Sequence, residues 1–309
     1  MRFVIAGATG FVGGPLCAKL KSDGHQITAL VRNLESAKQK LGPEIECVAW
    51  GEAAGEDWKR TLDGADAVIN LAGEPVAGPR WTEDYKRRIR DSRVNTTRAL
   101  AAAIGEAKQQ PVALISASAV GYYGDTKNAA VTEETPPGTD FLSEVCVAWE
   151  AETRRVETFG VREARLRIGI VLGNGGALKA MLSPLPVPIS PWKLGLGGPM
   201  GSGRQWLPWI HLADTVGLFA WAACNPQVSG PVNATAPQPV TSADFARAIG
   251  KALHRPAVLP VPGFALKLAL GEFAGSLLGG QNALPAVAER LGYQFQYRDV
   301  ESALANLLG

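Results

Sequence analysis

Cysteine is scarce and scattered. Cys17, Cys47, Cys146 and Cys224 are the four in 309 residues, and no two of them form a C-x-x-C pair. Disulfide and metal frameworks need paired spacings, so four unlinked thiols in a reducing compartment, with no metal site, are expected. An excess of one charge is also missing. Thirty-one Lys and Arg stand against 29 Asp and Glu, a net charge of +2. That gives no support for a nucleic-acid or polyanion partner, which needs clustered Lys and Arg. No apolar run can span a membrane; the stretch from Phe264 to Leu278 is interrupted by Lys267, Glu272 and glycines. Met1 runs straight into an apolar strand, without a basic segment, apolar core and cleavage site. No signal or transit peptide is therefore read, and a cytoplasmic location is expected.

What remains is an ordinary globular composition, 46% hydrophobic and 19% charged. The length suits one large α/β domain with a lesser appendage. Short β-branched runs alternate with helical patterns up to Leu172, the signature of parallel βαβ architecture. Strands are predicted at Arg2–Ala6, His25–Val31, Glu44–Val48, Ala67–Leu71, Val112–Ser116 and Arg165–Leu172. Helices are predicted at Val12–Asp23, Glu35–Leu41, Glu83–Ala107 and Glu144–Thr158. Residues 173–209, rich in Gly, Pro and Trp, read as a long functional loop. Beyond them lie helical patterns at Ser242–Leu253, Gly263–Leu278 and Asp299–Leu308. The fold class is therefore α/β, a Rossmann doubly wound parallel sheet over 1–172 to which 210–235 returns. Residues 236–309 form a smaller, mostly helical substrate-side portion.

Gly7, Ala8, Thr9, Gly10, Phe11, Val12 and Gly13 follow the first strand and open the first helix. Gly7 allows the tight turn, Gly10 lets backbone approach a pyrophosphate, and Gly13 lets the helix pack closely on the strand. The helix N-terminus then offers free N–H groups to phosphate oxygens. The second strand ends at Val31, followed by Arg32. An NAD site places Asp or Glu here for the ribose 2′-hydroxyl, whereas a guanidinium suits a 2′-phosphate. The expected cofactor is NADP(H).

These motifs resemble the short-chain dehydrogenase/reductases. So do Asn70-Leu71-Ala72-Gly73, Ser116-Ala117-Ser118 with Tyr122-Tyr123-Gly124, and Trp209-Ile210-His211-Leu212-Ala213-Asp214. Trp149-Glu150, the Arg167–Gly173 run, the Leu194–Trp209 stretch LGLGGPMGSGRQWLPW and Leu291–Phe295 narrow the likeness. Together they resemble the atypical "epimerase family" subgroup of the extended, epimerase/dehydratase-type branch, over nearly the whole chain. Some plant and cyanobacterial members of that subgroup carry a cell division inhibitor label. The resemblance implies that Leu71, Ala72 and Gly73 line the dinucleotide path through backbone contacts. It places Arg93, Asn95 and Ser116 on the cofactor side, and Val171 near the nicotinamide.

The same resemblance exposes a departure. Short-chain dehydrogenases use a Tyr as general acid/base, and a Lys four residues later favours its phenolate. Anchored on Glu150, Leu142 falls at the Tyr position and Cys146 at the Lys position, and no Tyr-x-x-x-Lys lies between Ser118 and Arg165. Ser118 falls at the family's carbonyl-polarising Ser position, and Tyr122 or Tyr123 is the candidate replacement acid. A strand-end Ser that only bonds backbone is an equal reading of Ser118. Cys146 reads as a buried, inert helix thiol. His211 and Asp214 read as structural, with Asp214 serving the helix start and His211 bonding a backbone group. Gly198, Arg204, Gln205, Trp206 and Trp209 are the substrate-side candidates, offering close approach, an anion contact and aromatic walls. A packed loop or a dimer contact is the competing reading of that stretch.

Two functions stay open on these residues. One is an NADP(H)-binding oxidoreductase or epimerase-like protein acting on a small molecule, with an atypical active site. The other is a non-catalytic NADP(H)-binding regulator linked to cell or plastid division, with a division-machinery partner. Neither needs nucleic acid or a membrane span, and both leave a homo-oligomer open.

Overall fold

The structure is a computed structural model that describes residues 1–51, 55–78, 80–183 and 190–309. Among the described residues seven strands form one parallel sheet. They are β1 (Arg2–Ala6), β2 (Gln26–Val31), β3 (Glu46–Ala49), β4 (Ala67–Asn70), β5 (Ala113–Ala119), β6 (Arg162–Ile168) and β7 (Gly230–Ala234), in the order β3-β2-β1-β4-β5-β6-β7. The order reverses between β1 and β4, which opens a crevice at the carboxyl ends of those strands. The expected doubly wound parallel sheet is what forms.

Helices cover both faces because each strand alternates its side chains. Phe3 and Ile5 of β1 pack with Leu16 and Leu20 of α1 (Gly13–Ser22). Val4 and Ala6 point the other way, against Leu100 and Ile104. Those two belong to α3 (Glu83–Glu106), which follows α2 (Leu34–Leu41). Short polar residues start these helices: Asn33 accepts from Ser36 N at 2.9 Å and Thr82 from Tyr85 N at 3.2 Å. Asp140 caps α4 (Phe141–Arg154) through Ser143 N at 2.9 Å. That cap starts α4 three residues earlier than its apolar periodicity announced.

The strand expected over Arg165–Leu172 is corrected by the structure. It breaks at Gly169, where β6 leaves the sheet and Ile170–Gly173 pairs instead with Trp209–His211. A Cβ on Gly169 would lie 2.0 Å from the Pro208 carbonyl oxygen, so only glycine permits the two segments to approach. Val171 therefore belongs to this second ladder. The stretch 173–209 is more ordered than a loop. It contains α5 (Gly176–Leu182), a 3-10 turn at Pro191–Leu194 and a strand at Trp206–Leu207 paired with Val240–Thr241; residues 184–189 of it lie outside the described residues.

After α6 (Leu212–Cys224) and β7 comes the C-terminal portion. α7 (Ser242–Ala252) starts with a capping box between Thr241 and Asp244. The single helix expected over Gly263–Leu278 is two, α8 (Gly263–Leu270) and α9 (Phe273–Leu278). Gly271, at φ +62°, turns the chain between them. α10 (Ala286–Arg290) and α11 (Val300–Leu308) follow, and α11 packs on α7 through Leu304, Phe245 and Ile249. No helix among the described residues is long and apolar enough to cross a membrane.

Candidate dinucleotide and reaction site

The first turn is shaped by what its glycines lack. Gly7 has φ +80°, and a Cβ there would lie 2.7 Å from the Leu71 carbonyl carbon. A Cβ on Gly13 would lie 2.2 Å from the Gly7 oxygen, so α1 packs against the turn only with glycine there. Gly10 donates to the Gly7 oxygen at 3.0 Å. A Cβ on Gly10 would meet that oxygen alone, at 3.1 Å, and its outer side is open. Thr9, Gly10 and Phe11 are exposed at the tip, and Val12 is half-buried. No side chain caps α1 and no acid stands in its first turn. Its N–H groups thus face outward without a built-in anion.

At the end of β4, Leu71 N donates to the Ala6 oxygen at 2.9 Å. Asn70, part of the Asn70–Gly73 motif, holds this segment. Its Oδ1 accepts from Ala72 N at 3.1 Å while its Nδ2 donates to Thr97 at 2.8 Å. Ser116 is buried beside it and donates to the Ala117 oxygen, so its hydroxyl faces the sheet interior. Arg32 is exposed and forms no ion pair among the described residues.

A cavity of about 370 Å³ lies beside this crevice. Phe11, Arg93, Leu142, Cys146, Val171 and Trp206 all line it, with Phe273 and Leu277 of α9 on the opposite side. The Phe11 ring fits a slot cut by three glycines: Cβ atoms on Gly173, Gly175 and Gly176 would come within 2.8–3.1 Å of it. The dinucleotide loop and the cavity thus share a side chain.

Arg93 reaches the cavity from α3. It sits against Gly73, whose Cβ would lie 3.3 Å from the Arg93 Cζ, and 5.3 Å over the Trp149 ring. Asn95 does not join it. Two residues along a helix turn about 200°, so Asn95 is exposed and accepts from Arg98 at 3.4 Å.

The polar candidates around Ser118 form a different unit, one that points away from the cavity. Ser118 is buried and its hydroxyl donates to Glu150 Oε1 at 2.8 Å. Glu150 also accepts from Arg167 Nε at 2.8 Å, Arg167 Nη2 at 2.9 Å and Arg165 Nη1 at 3.4 Å. Tyr123 accepts from Arg167 at 3.0 Å and donates to Asn233 at 2.7 Å. Burial pushes the Tyr123 phenol up to about 12, against the pull of Arg167, so it holds its proton at neutral pH. Tyr122 lies flat on the Arg167 guanidinium, 3.4 Å from ring centre to Cζ. Ser118, Tyr122 and Tyr123, the three catalytic candidates, thus serve a buried ion network, and neither tyrosine lines the cavity. Glu150 and Arg167 are its hub; both stand in stretches that carry the family likeness, but neither is a site candidate on sequence grounds.

The two residues at the positions of the missing pair do face the cavity. Leu142 is apolar wall. Cys146 donates to the Ala119 oxygen at 3.7 Å, and burial, with the Glu150 charge, pushes its thiol up to about 12. A thiol so placed keeps its proton at neutral pH.

Among the substrate-side candidates only Trp206 lines the cavity. Trp209 is a core residue, 1% exposed, with Nε1 donating to the Gln238 oxygen. Gln205 is buried and donates to the Met200 and Leu277 oxygens, pinning α9. Gly198 is a packing glycine whose Cβ would meet the Leu259 oxygen at 2.2 Å, and Arg204 is exposed. His211 bonds a backbone group as expected, and in doing so takes the helix start: its Nδ1 accepts from Ala213 N at 3.0 Å. Asp214 instead accepts from Gln296 N and Tyr297 N at 2.7 and 2.9 Å, tying in the C-terminal segment.

Sheet order, open glycine turn and adjoining cavity define a dinucleotide-binding α/β protein of the extended short-chain dehydrogenase type. The chain belongs to the NAD dependent epimerase/dehydratase family, whose profile matches residues 3–234. A domain of unknown function (DUF1731) matches residues 261–307, the part that carries α8 to α11. Epimerase family protein YfhF of Bacillus subtilis is 40% identical over 100% of this chain and 98% of its own. Epimerase family protein SDR39U1 homolog, chloroplastic, of Arabidopsis thaliana is 40% identical over 100% of this chain and 87% of its own. Human epimerase family protein SDR39U1, solved with NADPH, superposes with a TM-score of 0.89. It is 35% identical and covers 100% of this chain and 99% of its own.

Proposed function

We propose that this chain is an NADP(H)-dependent oxidoreductase that transfers hydride to or from a small, largely apolar molecule in the cavity beside the glycine turn. The observation that carries the reading is the union of the two features through Phe11, which belongs to the turn and lines the cavity. The open turn fits a dinucleotide: the outer side of Gly10 is free, and Gly7 and Gly13 have no room for side chains. Backbone N–H groups at Phe11 to Gly13 would hold the pyrophosphate, with the open side of Gly10 giving it room, and Leu71, Ala72 and Gly73 would line the path beyond it. Arg32 at the end of β2 would pair with the 2′-phosphate. NADPH, as found with the human relative, supplies a hydride when bound.

What the chain's own residues then do follows from their chemistry. Leu142, Trp206 and Phe273 offer apolar surface to a substrate ring. No side chain lining the cavity, among the described residues, can give and retake a proton near neutral pH. Sugar-hydroxyl oxidation by a tyrosine base therefore has no counterpart here. Four free thiols suit a reducing compartment such as the cytosol, while the Arabidopsis relative is chloroplastic by name.

The test is calorimetry with NADPH and NADH on wild type and Arg32→Ala. Wild type should prefer NADPH, and the variant should lose about tenfold or more for NADPH while NADH changes little. Equal wild-type affinities would overturn the NADP assignment. A substrate panel followed at 340 nm comes next, and tight NADPH binding with no turnover on any compound would leave the regulator reading standing instead.

A further inference from the structure

Arg93 is the only charged side chain on the cavity wall among the described residues. It is held by one hydrogen bond, from Nη1 to the Ile89 oxygen of its own helix at 2.9 Å, and by stacking on Trp149. No described carboxylate lies within ion-pair distance of it; Glu74 adds only a longer-range attraction. Burial pulls its guanidinium below the ordinary arginine value. A mostly buried cation without a counter-ion is costly to keep. The cavity wall it shares is otherwise largely apolar and aromatic, with Leu142, Val145, Trp206 and Phe273 among its members. The remaining guanidinium donors have no described partner, and they stand beside Cys146 and Trp149, deep on the α4 side.

We propose that Arg93 is a catalytic residue that binds an oxygen of the substrate as it becomes an anion, and that the substrate is a planar, apolar carbonyl compound of the quinone class. The inference rests on the NADP(H) reading above. In the reduction, hydride adds to a ring carbon conjugated with the carbonyl, and the displaced electron pair moves through the ring onto the carbonyl oxygen as an enolate. The guanidinium N–H groups take up that negative charge; the added ring hydrogen then leaves as a proton while water protonates the oxygens, which completes the hydroquinone as the nicotinamide is left oxidised. Arginine gives no proton, so the developing charge must be tolerable without one. A quinone meets that condition, because its reduced form spreads the charge over a ring; a sugar hydroxyl does not. The fixed charge on α3 thus occupies the place in the chemistry that Leu142 and Cys146 leave empty.

The experiment uses the full chain with NADP⁺ present and reads binding by calorimetry. The probes are 2-hydroxy-1,4-naphthoquinone, an enolate anion at neutral pH, and neutral 1,4-naphthoquinone; NADPH binding is measured in parallel. Wild type should bind the enolate more tightly than the neutral ring. Arg93→Met keeps the apolar stem and should weaken the enolate about ten- to a hundredfold, with the neutral ring and NADPH nearly unchanged. Arg93→Lys should recover most of the loss, and melting temperatures check that both variants fold. NADPH oxidation with 1,4-naphthoquinone should fall in Arg93→Met in the same proportion. If Arg93→Met loses NADPH as much as the enolate, Arg93 belongs to the dinucleotide and the proposal fails. It fails also if wild type binds NADPH but neither naphthoquinone, an outcome that leaves the NADP(H) reading intact. Loss of NADPH binding in wild type would remove both.

Discussion

Glu150→Gln should unsettle this protein far more than one lost charge on its surface would. The Glu150 carboxylate accepts four hydrogen bonds, from Ser118, twice from Arg167 and from Arg165, over 2.8–3.4 Å. The Glu150 and Arg167 side chains are 5% and 3% exposed, so water screens almost none of this. Burial works against the Arg167 charge, and Glu150 more than offsets it, holding the guanidinium above its ordinary value. An amide leaves that guanidinium without its counter-charge and turns an N–H₂ toward other donors. Breaking one side of such a buried pair costs about 3–5 kcal/mol, whereas an exposed pair such as Lys19–Asp23 contributes about 0–1 kcal/mol. With an unfolding entropy of about 0.65 kcal/mol/K for a chain of 309 residues, the expected fall in Tm is about 5–8 °C. Scanning calorimetry on wild type, Glu150→Gln and the double variant Glu150→Gln/Arg167→Met measures it. The double variant should regain at least half of the loss, because removing both charges removes the unpaired one. A Glu150→Gln Tm within about 1 °C of wild type, or a double variant worse than either single one, would refute the reasoning.

Gly13→Ala should cost NADPH affinity at least about tenfold by calorimetry. Its Cβ would stand 2.2 Å from the Gly7 oxygen, and α1 must move off the turn by roughly 1 Å to relieve it; an unchanged affinity would contradict the assignment of the turn. Thiol labelling of the native protein should modify exposed Cys224 first and spare buried Cys17 and Cys146 until denaturant is added. Early modification of Cys146 would mean that the cavity opens further than its walls indicate. Burial, opposed by the Asn306 side chain, holds the His211 imidazole below its ordinary value. The unfolded chain then binds the extra proton first, so stability should fall as pH drops from about 7 to about 5. His211→Asn keeps a cap acceptor for Ala213 N, and urea unfolding at both pH values should show a smaller pH effect in the variant. An equal effect in both proteins would discard His211 as its source.

Much of this protein is written locally, and that part is legible in the sequence. The turn from Gly7 to Gly13 needs glycines because of contacts made within seven residues and with the adjoining strand end. Asn33, Thr82 and Asp299 cap the helices that follow them. Phe3–Ala6 is apolar throughout because both of its faces are covered. Such features depend on neighbours in sequence, and their residue types announce them. The missing Tyr and Lys are legible through the family resemblance, which sets Leu142 and Cys146 at their positions.

Tertiary structure alone decided which side chains share a space. Ser118 and Tyr123 sit in motifs that promise chemistry, yet Glu150 and Arg167, from α4 and β6, turn them into parts of a buried network. Trp206 and Trp209 are three residues apart, and only the first lines the cavity, because the strand ending at His211 carries the second into the core. Phe273 and Leu277 close the opposite wall from a helix that no motif marked. A cavity is made by segments far apart in the chain, so its composition exists only once they meet. The glycine turn is a property of the sequence; the apolar chamber beside it, with its single arginine, is a property of the fold.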